Sequence, residues 1–353
     1  MTFDEAVRTT TRTFIVPKVY DQVTKGSPTL MKLLRTAKSW STGTKYEFPI
    51  KYQDTTNGGW TGIANQLDTN RQNVRVTASF EPKMVYKPVV ASSIEVALNE
   101  GQERIVDLLQ TEFDSQAQSL IDLMGQGLFT GTGTGNLPDS LMNAADDGGA
   151  FPTYGGLSAT SYPTWAGYDL QSAGALTLAK MATFYDAIEI GTAKPDMIVT
   201  TKALWSVYES LLTPTVRAGY VQNGYPKMDE YGMVASANGL NGNQGFECLW
   251  FRGTPVVKDE QVQAGAMFGF NSNYFGWKGI DKKIRGFETL NFKQSNDGVP
   301  NGVPGRVPST KGFYFRDFMM PVDQFAEVGY VMYAGNYIAE QRRLVGAMYN
   351  LNA

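Results

Sequence analysis

The chain has 353 residues, a formal net charge of −3 and only 18% charged side chains, against 18 Tyr, 19 Phe and 6 Trp. It contains no histidine and one cysteine, Cys248, which removes imidazole bases, Ser-His and Cys-His nucleophile pairs, histidine metal ligands, internal disulfides and multi-cysteine metal or redox motifs. No run of about twenty apolar residues predicts a spanning helix, and "MTFDEAVRTTTRTF" at the N-terminus lacks an apolar signal core.

Few charges with many aromatics suit either a surface hidden against other chains or a large β-rich core. The charge is uneven. Residues 1–45 carry Arg8, Arg12, Lys18, Lys25, Lys32, Arg35, Lys38 and Lys45 against Asp4, Glu5 and Asp21, a net excess of +5 on a body of −8. Such an arm either seeks a negative surface, another subunit or nucleic acid, or lies solvated.

In chain order, residues 1–40 read as an extended or partly helical arm with one short apolar stretch, "FIVPKVYDQV". Tyr46, Phe48, Ile50 and Tyr52, then Val74, Val76, Ala78 and Phe80, alternate with polar residues and predict two half-buried strands. The polar tip between them, carrying Trp60, is roughly twenty residues long, far beyond an ordinary hairpin loop. A lone hairpin is marginal in water, so this one needs something to pack against. "KMVYKPVVASSIEVAL" continues as strand, with Pro82 and Pro88 implying edge or bulge positions.

From Asn99 the period changes to that of a helix over 99–129, with Ile105, Leu109, Phe113, Ala117, Leu120, Ile121, Met124 and Leu128 on one stripe. Glu100, Glu103 and Asp107 favour its first turns and "FTGTGTGN" stops it. A second helix is expected from Ala173 to Gly191, a buried strand at "KPDMIVTT" and a helix at "KALWSVYESLL". "FECLWFRGTPVVKDE" reads as strand, turn, strand, with Cys248 as a small apolar strand residue, and "GAMFGFNSNYF" as one further strand. The last strands are "FYFRDFMMPV", "EVGYVMYAGNYIA" and "RRLVGAMYNL". The order predicts an α+β chain whose N- and C-terminal pieces share a sheet.

"GTGTGN" (131–136) lacks a Gly-Lys-Ser/Thr ending and follows a helix rather than opening one, so it is read as a turn and not a phosphate loop. Asp146-Asp147 lacks the ligand spacing of a calcium loop and is read as a polar turn. No opposed carboxylate pair for glycoside chemistry can be named. The aromatics of "NYFGWKG" and "YPTWAGYD" could stack on sugars, though core is the expected use.

"LIDLMGQGLFTGTGTGNLPDSL", "YGGL", "YPTW", "MATFYDAIEIGTAKPDMIVTTKALWSVYESL", "LWFRGTPVVKDEQVQAGAMFGFN" and the closing "YVMYAGNYIAEQRRLVGAMYNLN", in this order over residues 100–353, resemble the major capsid proteins of tailed bacteriophages. The resemblance implies the Hong Kong 97 phage-type fold, with an N-arm at 1–40, an E-loop hairpin at 41–86, and a peripheral domain at 87–164 that holds a spine helix at 99–129. An axial domain at 165–285 and return strands of the peripheral domain at 286–353 complete it. It implies a non-enzymatic subunit, without cofactor or metal, that self-assembles as hexamers and pentamers into an icosahedral virion shell. The shell would enclose double-stranded DNA and form in the host cytoplasm, off the membrane, with a portal and a separate scaffolding protein (or a leader already removed). Lys51, Trp60, Arg8, Arg12 and Lys18 are the expected intersubunit contacts, and the hairpin is expected to pack on a neighbouring subunit. A Lys–Asn cross-link, for which Lys51 with Asn336 or Asn350 could be named, is not assigned. An encapsulin-type compartment shares the implied fold; a histidine-free carboxylate enzyme, a tail-tube protein and an adhesin are the readings from other classes.

Overall fold

The computed structural model describes residues 26–40, 43–62, 66–67, 69–92, 94–95, 108–212, 248–280, 311–319 and 326–352. The described chain begins with helix α1 (Pro28–Arg35), where Ser27 accepts a hydrogen bond from the Leu30 amide and Pro28 pre-sets the first turn. Leu30, Leu33 and Leu34 are fully buried. The arm expected through residue 40 is therefore corrected: from Ser27 onward the segment is core, bound by its apolar face and by the Ser27 hydroxyl donating to Asp259 (2.7 Å). Residues 1–25, with Arg8, Arg12 and Lys18, lie outside the described residues.

Strand β1 (Lys38–Trp40) is followed by β2 (Tyr46–Lys51) and β3 (Arg75–Phe80), an antiparallel pair with Tyr46 opposite Phe80 and Lys51 opposite Arg75. Next come β4 (Lys83–Ser92) and the long helix α2 (Leu108–Thr130). The first turns expected for that helix, 99–107, lie outside the described residues. Its second half buries Ala117, Leu120, Ile121, Met124 and Leu128, as the stripe requires, while Phe113 is half-buried with its ring edge-on to Phe315 at 5.3 Å. The helix ends in the glycine-rich turn, where the Gly131 amide donates to the Gly127 carbonyl (3.0 Å).

Then follow α3 (Leu141–Ala145), β5 (Thr153–Tyr154), β6 (Leu157–Ser158), β7 (Tyr168–Leu170) and β8 (Gly174–Ala175). Helix α4 (Leu178–Ala187) starts later than expected, because residues 174–175 are taken up in a strand pair and Thr177 caps the helix; Leu178 at its first turn is exposed. Strand β9 (Met197–Thr200), helix α5 (Lys202–Leu211), and strands β10 (Cys248–Phe251), β11 (Thr254–Lys258), β12 (Met267–Phe270) and β13 (Phe275–Ile280) follow. The single strand expected at 265–275 is two: Asn271 and its neighbours turn the chain, sending Phe270 and Phe275 into different sheets. Strands β14 (Phe313–Met319), β15 (Ala326–Ala339), β16 (Gly346–Met348) and β17 (Leu351–Asn352) complete the described chain.

Strand β15 is the hub of a five-stranded sheet, pairing with β4 over Ala326–Gly335, with β14 and with β13, while β1 runs parallel to β13. The N- and C-terminal pieces thus share a sheet, and Pro88 sits on β4, which among the described strands pairs only with β15. The six-stranded sheet has the order β10-β11-β9-β12-β16-β7. Boundaries drawn from sequence cut across these sheets: β1 comes from the segment given to the arm, β4 begins inside the segment given to the hairpin, β13 of the five-stranded sheet lies in the segment given to the axial domain, and β16 joins the six-stranded sheet instead of the sheet of β15.

One core holds α1, α2, the five-stranded sheet and one face of the six-stranded sheet, through residues such as Leu33, Leu120, Phe129, Phe268, Tyr333 and Tyr337. A second core lies on the other face of the six-stranded sheet, where Met181, Phe184 and Tyr185 of α4 and Leu204, Trp205 and Tyr208 of α5 cover Ile198, Val256 and Met267. Helix α4 approaches so closely that a Cβ at Gly269 or Gly346 would meet Ile188 at 2.6 Å, so both positions need glycine.

Candidate assembly surfaces

The base of the hairpin packs on its own chain. Tyr46, Phe48 and Ile50 of β2 and Val76, Ala78 and Phe80 of β3 share the inner face. Phe48 stacks on Phe80 (6.0 Å) and meets the edge of Trp165 (6.1 Å); Phe80 meets Tyr154 (5.0 Å) and Tyr52 meets Tyr162 (4.9 Å). The "YGG" and "YPTW" segments are thus the floor under this hairpin. Gly155 and Gly156 both have positive φ (60° and 76°), which the tight turn between β5 and β6 demands. A Cβ on Gly155 would strike the Phe80 ring at 2.7 Å. The expectation that a neighbouring subunit supports the hairpin is corrected for its base: the floor comes from residues 154–165.

Arg342 locks that floor. Its side chain is fully buried and donates to four carbonyls, those of Ala144 (2.9 Å), Trp165 (3.2 Å), Asn143 (3.0 Å) and Asp146 (2.6 Å), with the guanidinium 4.8 Å above the Tyr154 ring. Five donors in a fixed fork suit this role; the Asp146 carbonyl also accepts from the Gly167 amide (3.1 Å). Burial pulls the Arg342 pKa down, yet the Tyr154 ring and Asp146 favour its charge. Asn336, which could be named for a cross-link, is fully buried and spent on Asp139 (2.8 Å) and the Glu81 carbonyl (2.9 Å). Asn350 donates to the Gln171 carbonyl (2.6 Å).

At the hairpin's entry a second charged node gathers four segments. Glu340 accepts from Lys278 (2.5 Å), from the Tyr46 hydroxyl (2.9 Å) and from Lys38 (3.1 Å). Burial and then Glu340 push the Tyr46 hydroxyl up to about 12.

The tip is different. Beyond Lys51 the stem is a polar ladder: Tyr52 and Gln53 donate to the Asn73 carbonyl (2.9 and 3.0 Å) and the Thr56 amide donates to Gln72 (2.9 Å). Lys51, an expected contact, is exposed and paired with Asp54 at 2.5 Å, a hydrogen bond that holds the Asp54 carboxyl below its ordinary value. Trp60 is 107% exposed and Leu67 is 67% exposed. Of the expected contacts, Lys51 and Trp60 lie on the described hairpin.

A second bare surface lies on the outer face of the five-stranded sheet. Met84, Tyr86, Pro88 and Val90 point outward from β4, opposite Ala334, Met332, Tyr330 and Val328. Met84, Tyr86, Val90 and Met319 of β14 are each more than half exposed. The other face carries buried Val89 and Ala91, and Val89 joins the core lined by α2. Sequence reading did not pick out this face, although the alternation of four outward apolar residues in "MVYKPVV" was visible.

The carboxylates of Asp146, Asp147 and Asp169 lie within 4.8 Å of one another. Asp146 accepts from the amides of Gly148 (2.8 Å), Ala150 (3.1 Å) and Phe151 (3.0 Å), so it organises a turn, as expected. Burial, with Asp146 and Asp147 adding repulsion, raises the Asp169 carboxyl to about 6. In the glycine-rich loop, the Gly135 carbonyl accepts from Lys83 (2.6 Å) and the Gly133 amide donates to the Pro138 carbonyl (3.0 Å), the geometry of a turn after a helix. No described helix is long and apolar enough to cross a membrane.

A long helix laid on a sheet, a projecting hairpin and a helix-covered second sheet together make the α+β, Hong Kong 97-type fold of phage capsid proteins. The chain is similar over its whole length to the protein in the cyanophage A-1(L) capsid asymmetric unit (15% identity, TM-score 0.68, 100% of both chains). It is also similar to the SrpI encapsulin of Synechococcus elongatus (11% identity, TM-score 0.57, 100% of this chain and 96% of that one) and to a chain of Mycobacterium phage Bobi (11%, TM-score 0.55, 99% and 98%). No protein-family profile and no curated protein sequence matches the chain.

Proposed function

We propose that this chain is a major capsid protein: a non-enzymatic subunit that self-assembles into an icosahedral shell around phage double-stranded DNA. The observation that carries the reading is the pairing, within a capsid fold, of two unsupported surfaces on one chain. One is the polar tip bearing Trp60, and the other is the exposed apolar patch of Met84, Tyr86 and Val90 on β4 with Met319 on β14. A tip from one copy covering the sheet face of another is a heterologous contact, and such contacts close into rings and shells when the rotation permits. Burying Met84, Tyr86, Val90 and Trp60 removes apolar surface from water at roughly 25 cal/mol per Å².

In this reading Lys51 and Trp60 act at the subunit boundary, and the basic residues Arg8, Arg12 and Lys18 meet DNA or an acidic neighbour. The shell forms in the host cytoplasm with a portal and a separate scaffolding protein, and ends in the virion. Neutralising Arg8, Arg12 and Lys18 together is expected to weaken assembly or packaging at low salt, and less so at high salt, where the attraction is already screened; unchanged particle yield at low salt opposes that role. The reading is tested by negative-stain microscopy of the purified full-length chain. Closed particles are expected, and a monomer at all concentrations overturns it. Closed particles that enclose a protein cargo and no nucleic acid from the producing cell select the encapsulin-type alternative.

A further inference from the structure

The hairpin is held to the body by aromatic packing, which pH does not alter, and by the Glu340 node, which it does. Three donors converge on this carboxylate from β1 (Lys38), β2 (Tyr46) and β13 (Lys278), while the Glu340 amide itself is fixed by the Tyr274 carbonyl (2.7 Å). The Lys278 side chain is only 2% exposed, and Tyr46 lies over its ammonium with the ring centroid at 5.5 Å. A buried ammonium depends on its counter-charge, because the desolvation it suffers is otherwise uncompensated. Beside the node runs a cleft of about 610 Å³ between the hairpin underside (Pro49–Asp54) and Tyr274, Gln341 and Arg343. The charged groups around Glu340 are thus Lys38 and Lys278 at the node and Lys51, Asp54, Arg342 and Arg343 along the cleft.

We propose that Glu340 is a protonation-operated latch at the pivot of the hairpin: protonated, it no longer neutralises Lys278, and β2 lifts at Tyr46 so that water from the cleft reaches the buried ammonium. The direction follows from the electrostatics. Burial alone would raise the Glu340 carboxyl, but the hydrogen bond and charge of Lys278, then Tyr46 and Lys38, outweigh it and hold the carboxyl below its ordinary value. A lowered carboxyl keeps the latch shut at neutral pH and releases it as pH falls through the folded-state value. The latch acts within one chain and does not depend on the shell reading.

Amide hydrogen exchange on the full-length chain tests it, with rates corrected for the intrinsic pH dependence and sedimentation recorded in the same buffers. Between pH 7 and pH 3 the amides of 46–51 and 75–80 are expected to exchange several-fold faster while those of β9 and β12 hold, the signature of a local opening. Glu340→Gln is expected to show the fast hairpin rate already at pH 7 and to lose the step. Should that variant fail to fold, Tyr46→Phe removes one donor without stranding a charge, and the step then moves to higher pH. A wild-type step retained in Glu340→Gln, a midpoint unmoved by Tyr46→Phe, loosening of all strands together, or a step present only in assembled particles overturns the latch.

Discussion

The two halves of one hairpin obey different rules. At its base, Phe48 and Phe80 sit in a floor of Tyr154 and Trp165, and Ala78 is fully buried. At its tip, Trp60 and Leu67 stand in water above a ladder of amide side chains. The base is therefore held by folding of its own chain, and the described part of the tip is held by polar hydrogen bonds without a core of its own. Ordering a loop costs backbone entropy, and the polar ladder offsets part of that cost before any partner arrives, so the tip can bind with less to lose. The comparison separates variants that destroy the subunit from variants that destroy only its association.

The largest effect is expected beneath the base. Arg342→Met leaves the buried carbonyls of Asn143, Ala144 and Trp165 without this donor and should cost on the order of 3–5 kcal/mol, much of a domain's stability. Insoluble or degraded chain, or a urea midpoint lowered to match, is the outcome; an unchanged midpoint would break the claim that the floor is a folding element. Phe80→Ala, at a buried position, should cost roughly 3–5 kcal/mol, whereas the half-buried Phe113 should lose about half as much. Chemical denaturation of the two variants side by side checks that ratio.

A smaller effect follows at Asp169, on β7 of the six-stranded sheet. Its carboxyl is raised to about 6 by burial and then by Asp146 and Asp147. The folded state therefore holds the proton more tightly than the unfolded one, and the aspartate loses stability as pH rises from about 4 to about 6. Asp169→Asn should be the more stable protein at pH 7, with the difference gone below about pH 4; thermal melts across that range measure it. Least of all, Trp60→Ala should leave the melting of the unassembled subunit within about 0.5 kcal/mol of wild type.

The hairpin's strands were legible because side-chain alternation is local: Tyr46-Phe48-Ile50 and Val76-Ala78-Phe80 announce a face. What that face touches was not legible, since Tyr154, Trp165 and Arg342 lie about 70 to 300 residues away in sequence, and no local pattern encodes such pairings. Helix α1 was readable in principle, from Ser27-Pro28 followed by Leu30, Leu33 and Leu34, but eight residues are too few for the period to stand out. The break between β12 and β13 was signalled by "NSN", yet the apolar runs on both sides masked it. Strand β16, three residues long, carries nothing that says which sheet it joins. Among the expected contacts, Trp60 was singled out because an aromatic in a polar tip is conspicuous. Glu340 was missed because its partners Lys38, Tyr46 and Lys278 converge only in the folded chain.

The measurement that bears most directly on the central claim deletes the tip, Asp54 to Asn70, and follows melting and particle formation together. The account predicts a soluble subunit that melts with the unassembled wild-type chain and sediments as small species where wild type forms closed shells. Shells of normal yield and heat stability from the deletion would contradict it, as would a deletion that unfolds the base along with the tip.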